Sequence, residues 1–167
     1  KAGNNLIQAP SQAEMQKLAN HYQNGQYGDA ETLAISITEQ FPGHQFGWKV
    51  MGALLEKTGR KFEALNANQK AVQLEPEDAE AHYNLGNTFM GLGRLEEAEA
   101  SYKQTIALKP DFVLALSNLG LTLQALGRLE EAEASYRQAI SLKPDYAEAH
   151  SNLGTTLQQL GRLHDAE

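Results

Sequence analysis

Asn84, Asn118 and Asn152 stand at one phase of a 34-residue period. Each carboxamide offers two N–H donors and a carbonyl acceptor. An extended peptide backbone presents C=O and N–H groups along its length. A ladder of side-chain amides, one rung per period, is therefore chemistry that could hold such a backbone. Asparagine is a mediocre helix former, so its return in a helical column is not a matter of propensity. The competing reading is that asparagine is common in this column and meets only water, and the residues alone leave both readings open.

Other reactive side chains do not assemble into a mechanism. His82 and His150 share their column with Trp48 and Leu116, which makes it a packing column. His21, His44 and His164 fall in unrelated columns. The acidic runs at Glu96, Glu97 and Glu99, and at Glu130, Glu131 and Glu133, open predicted helices, where carboxylates suit the helix dipole. Gly86, Gly91 and Gly93 loosely resemble a phosphate loop, but no strand precedes them and no Gly-Lys-Ser/Thr follows. No Ser-His-Asp or Cys-His set is suggested. The expectation is no catalytic residue, no metal site, no cofactor and no enzyme activity within these residues.

The elements that position the asparagines follow from the same period. Gly25, Gly59, Gly93, Gly127 and Gly161 form one column; Ala30, Ala64, Ala98, Ala132 and Ala166 form another; Pro42, Pro76, Pro110 and Pro144 form a third. A step of this size signals stacked supersecondary units, which generally present a long surface to a partner. Residues Ala79–Phe112 and Val113–Tyr146 match at 22 of 34 positions, so shared positions speak to geometry first and to function second. Within the first, His82, Leu85, Gly86 and Phe89 have the spacing of one helical face. Gly93 supplies a left-handed turn after that helix. Leu95, Ala98, Tyr102 and Ile106 line a second helix, which Pro110 ends while disfavouring helix at Lys109. Asp111 then lies near the start of the next helix. Gly86, Gly120 and Gly154 sit mid-helix, where glycine costs roughly 0.5–1 kcal/mol relative to alanine. Their recurrence predicts close contact between the two helices of a pair, and the Ala98 column predicts the same from the second helix.

Composition bounds the rest. The 167 residues carry a net charge of −7 and no cysteine. That excludes disulfides and thiolate metal sites and argues against non-specific nucleic-acid binding, which needs a basic face. The apolar stretches are too short for a membrane span. Residues 1–10 read as a poorly structured leader without a signal-peptide core, and a cytoplasmic setting is compatible with the missing cysteines. The stretch Gln45–Asp78 is neutral and the other repeats are acidic, so an anionic ligand would meet least repulsion there.

The columns resemble the tetratricopeptide repeat (TPR) family, whose signature is W-x2-L-G-x2-Y, A-x3-F, then P. It is matched by Trp48, Met51, Gly52, Leu55, Ala64, Asn68 and Pro76. His82, Leu85, Gly86, Phe89, Ala98, Tyr102 and Pro110 follow it again, as do Leu116, Leu119, Gly120, Leu123, Ala132, Tyr136 and Pro144. The resemblance implies an all-α fold, an α-solenoid of antiparallel helix pairs wound as a right-handed superhelix of about four and a half units. The expected repeats are 11–44, 45–78, 79–112, 113–146 and a partial 147–167. The first is expected to have a helix one residue short, and Asn68, in the column of Tyr102 and Tyr136, to weaken the second.

In this family the first helices of successive repeats line a concave groove. Carried onto this chain, the groove residues are Lys49; Tyr83, Asn84 and Asn87; Ser117, Asn118, Leu121 and Gln124; and Ser151, Asn152 and Thr155. The Asn-Leu-Gly column is similar to repeats of the O-linked N-acetylglucosamine transferase family, where such a ladder holds peptide backbone. TPR domains that clamp chaperone carboxylate tails need several groove cations; here Lys49 stands alone, so that reading is poorly supported. The expectation is a binding scaffold for a protein or peptide partner, with no nucleic acid and no membrane. Two alternatives stand beside it. The chain lacks an initiator Met and breaks off within its last repeat, at Glu167, as expected of the substrate-recruiting part of a larger bacterial transferase. Leu157, Leu160 and Leu163, without their full cover, would equally suit a self-assembly module forming homo-oligomers.

Overall fold

The computed structural model describes residues 9–161, and within them every regular element is an α-helix. The chain divides into two compact bodies, Lys1–Glu77 and Asp78–Glu167. The N-terminal body holds α1 (Gln12–Gln23), α2 (Tyr27–Gln40), α3 (Gln45–Lys57) and α4 (Lys61–Leu74). The C-terminal body holds α5 (Ala79–Gly91), α6 (Leu95–Leu108), α7 (Val113–Ala125), α8 (Leu129–Leu142) and α9 (Ala147–Gln159). Within each body every helix packs on the next, and the first helices of neighbouring repeats also touch: α1 on α3, α5 on α7, α7 on α9. This is the all-α arrangement of antiparallel helix pairs that the period implies.

The turns explain the regularity. Gly93 has φ +73°, and Gly25, Gly59, Gly127 and Gly161 lie within a few degrees of it. That conformation suits glycine, which has no Cβ to clash. It lets Arg94 N–H reach Phe89 O at 2.9 Å and Gly93 N–H reach Met90 O at 3.0 Å, the paired bonds of a Schellman helix end. The same pair recurs at Gln26, Arg60 and Arg128. At the other end of each repeat, Lys109 is extended ahead of Pro110. Start signals are less uniform. Ser11 and Glu14 form a capping box on α1, and Asp78 caps α5 through Glu80 N–H and Ala81 N–H. Asp111, by contrast, does not cap α7, whose N-cap is Phe112 without a side-chain bond. Helix α1 has 12 residues where α3, α5, α7 and α9 have 13.

The small-residue columns are where paired helices meet. Ala30, Ala64, Ala98 and Ala132 are fully buried. A Cβ placed on Gly86 would stand 2.7 Å from the Tyr102 ring, and one on Gly120 would stand 2.6 Å from the Tyr136 ring. Both tyrosines are fully buried, so α5 and α7 each accept an aromatic plate from the following helix. In α3, Gly52 faces buried Asn68 instead. Leu163, Ala166 and His164 lie outside the described residues.

Candidate functional site

The three asparagines lie on α5, α7 and α9, each half-buried. The residue four places after each is a buried threonine: Thr88, Thr122 and Thr156. Its hydroxyl donates back to the asparagine carbonyl at 3.1, 2.8 and 2.8 Å. This satisfies a hydroxyl that burial would otherwise leave unpaired. The threonine column also runs at the 34-residue step, a signal that the sequence carries in plain view.

The amides themselves are not equivalent. Asn84 and Asn152 make no side-chain hydrogen bond to a described residue. Asn118 is committed. Its Nδ2 donates to Asn87 Oδ1 at 2.9 Å, with Tyr83 Oη at 3.3 Å and Tyr102 Oη at 3.5 Å. Tyr102 Oη also donates to Asn87 Oδ1 at 2.8 Å. Asn87 Oδ1 is thus the hub of a cluster joining α5, α6 and α7. The ladder is therefore not wholly spare to packing: its central rung ties helices together with Nδ2, while its two outer rungs are unengaged.

The other expected groove residues divide similarly. Tyr83 stacks obliquely on Phe112, with ring centroids 4.9 Å apart. Gln124 is engaged at both ends: its Oε1 accepts from Tyr136 Oη at 3.3 Å and its Nε2 donates to Gln159 Oε1 at 3.1 Å. Leu121 is half-buried, Ser151 and Thr155 are exposed, and Lys49 is half-buried on α3 in the other body. Ser117 is a correction to the groove set. It is 1% exposed, and Tyr146, in the column of Phe112, lies against it, so its hydroxyl cannot meet a ligand in this conformation. Burial and a hydrogen bond to Glu148 raise the Tyr146 phenol above its ordinary value. Burial, aided by the Glu148 charge, does the same to Tyr136. Both phenols stay protonated at neutral pH and can act as donors.

The histidine column has a structural task. One ring nitrogen of His150 lies 2.8 Å from Pro144 O, and Trp48 Nε1 donates to Pro42 O at 3.0 Å. Both side chains therefore tie their helix to the proline turn before it, a link that spacing alone did not reveal. Among the described residues, no cluster of His, Asp and Glu could hold a metal ion, and no helix is long and apolar enough to cross a membrane.

A TPR repeat family model matches residues 57–93 and 123–161, and two tetratricopeptide repeat models match 79–112 and 101–134. The chain belongs to the tetratricopeptide repeat family. Its fold is similar to the crystal structure of MamA protein, with TM-score 0.84 and 23% identity, over 92% of this chain and 84% of that one. A thermophilic TPR protein of Thermus thermophilus is similar at TM-score 0.73 and 25% identity, over 93% of this chain and 85% of that one. Part of the chain is also similar to the peroxisomal targeting signal receptor of Kluyveromyces lactis, 32% identical over 72 residues. That match covers 43% of this chain and 13% of the receptor. TPR membership supports a protein–protein interaction scaffold.

Proposed function

We propose that the chain holds an extended peptide segment of a partner protein, with Asn84 and Asn152 as hydrogen-bonding rungs and Asn118 as the anchored rung between them. The observation that carries this reading is that the half-buried outer amides of Asn84 and Asn152 bond to no described residue, whereas Asn118 is held in place. Asn118 keeps its side-chain Oδ1 for a ligand N–H, while Asn87 and the tyrosines hold its orientation through Nδ2. Exposed Ser151 and Thr155, with half-buried Leu121, would line the same segment. The similarity to a receptor for a targeting signal supports a segment of another protein as ligand. The acidic charge of the chain favours a segment that is not anionic.

A peptide array selects binding sequences, and calorimetric titration then compares the protein with its Asn84→Ala/Asn152→Ala variant. These changes break no internal bond, so the melting temperature should hold. At about 0.5–1.5 kcal/mol per lost hydrogen bond, affinity should fall about tenfold. Undiminished affinity in that variant would sink the ladder.

A further inference from the structure

The N-terminal body has an open slot of about 290 Å³ that uses none of the ladder residues. Met51 and Leu55 of α3 floor it, Ile35 and Trp48 wall it, and Glu31 and Arg60 stand at its mouth. The Trp48 indole is held by its bond to Pro42 O, and Ile35 is 42% exposed. Glu31 accepts from Arg60 through Oε1 only; its Oε2 bonds to no described residue.

Two repeats later, in the C-terminal body, the same positions are filled differently. Glu99 stands in the column of Glu31, Arg128 in that of Arg60, and Lys103 in that of Ile35. Glu99 receives two cations, Arg128 Nη1 on Oε2 at 2.6 Å and Lys103 Nζ on Oε1 at 2.7 Å. The fold therefore contains its own template for a lysine lying over this site. In the N-terminal body that lysine is replaced by isoleucine, which leaves one carboxylate oxygen unmet above an apolar floor.

We propose that this slot takes a basic side chain, lysine or arginine, from a partner protein. The alkyl stem lies along Ile35 and Met51, since long cationic side chains bury their stems while the head stays polar. The charged head reaches Glu31 Oε2 and the indole face of Trp48, which attracts cations. Glu31 and Glu63 outnumber Arg60 at the mouth, and the whole chain is acidic, so the local and global charge both favour a cation over an anion.

Trp48 is the single tryptophan, so its indole N–H resonance is an unambiguous reporter. The intact chain is titrated with Nα-acetyl-lysine amide and, as the uncharged control, Nα-acetyl-norleucine amide. The lysine probe should shift the Trp48 signal saturably, about fivefold tighter than norleucine, and less so at high salt. Ile35→Lys, which supplies the internal lysine of the other body, should abolish the response while the circular dichroism spectrum is kept. Glu31→Gln should bring lysine down to the norleucine level. Asn84→Ala/Asn152→Ala should leave the response unchanged, which separates this slot from the ladder. A Trp48 signal that ignores the lysine probe, or moves equally with norleucine, overturns the proposal, as does an Ile35→Lys variant that responds like the parent.

Discussion

The α3–α4 pair and the α7–α8 pair are built on one repeat pattern, yet their centres are filled by different chemistry. In α7 the mid-helix glycine faces the buried ring of Tyr136; in α3 it faces buried Asn68. Just beside those centres, Lys103 closes onto Glu99 in one body while Ile35 leaves Glu31 open in the other. The repeat dictates where helices touch and where chains turn. It does not dictate what fills the contact, and those freely chosen fillings are where one repeat can acquire a task another lacks.

The two pairs differ most at the aromatic plate. Tyr136→Asn makes the α7–α8 pair imitate α3–α4 and empties a fully buried site, so chemical denaturation should show a loss of about 3–5 kcal/mol. Gly120→Ala attacks the same contact from the other side. Its new methyl would meet the Tyr136 ring at 2.6 Å, and overpacking of this kind should cost about 1–3 kcal/mol. Gly154→Ala is the counterpart, because a Cβ there meets no described residue within 4 Å. Relieved of a mid-helix glycine, that variant should be more stable by about 0.5–1 kcal/mol. Equal effects at Gly120 and Gly154 would mean that the tyrosine is not what the glycine column answers to.

The smallest effect concerns the carboxylate that the two bodies treat differently. Lys103, and then Arg128, hold the Glu99 carboxyl below its ordinary 4.5. Its folded value lies below its unfolded one, so its contribution is complete above about pH 4.5 and is lost as pH falls through the folded value. Glu99→Gln should therefore flatten the acid limb of a stability–pH curve and also lower stability at neutral pH. A variant whose acid limb matches the parent's would remove Glu99 from the account.

Much of the fold was legible because its determinants are local. The turn glycines and the extended residue before proline each act within a few residues of themselves. The glycine column even announced its own contact, since a costly residue repeated at one phase points to a close neighbour. The site was legible only as a phase. Asn84, Asn118 and Asn152 are identical in spacing, but their engagement differs because the residues at the phase of Asn87 differ: Asn87 serves the amide of Asn118, whereas Leu121 has no such oxygen to offer Asn152. Ser117 misled for a similar reason. A helical phase predicts a direction, and the direction was covered by Tyr146 from the next repeat.

By itself the sequence determined a TPR array, its helix pairs and its glycine turns, because backbone conformation at those points depends on residues in the same turn or helix. Tertiary structure alone decided which amide is engaged, which hydroxyl is inside and which carboxylate is open. Those outcomes depend on atoms brought together from separate helices, such as Asn118 and Tyr83, 35 residues apart, and no local preference encodes what such a neighbour will be.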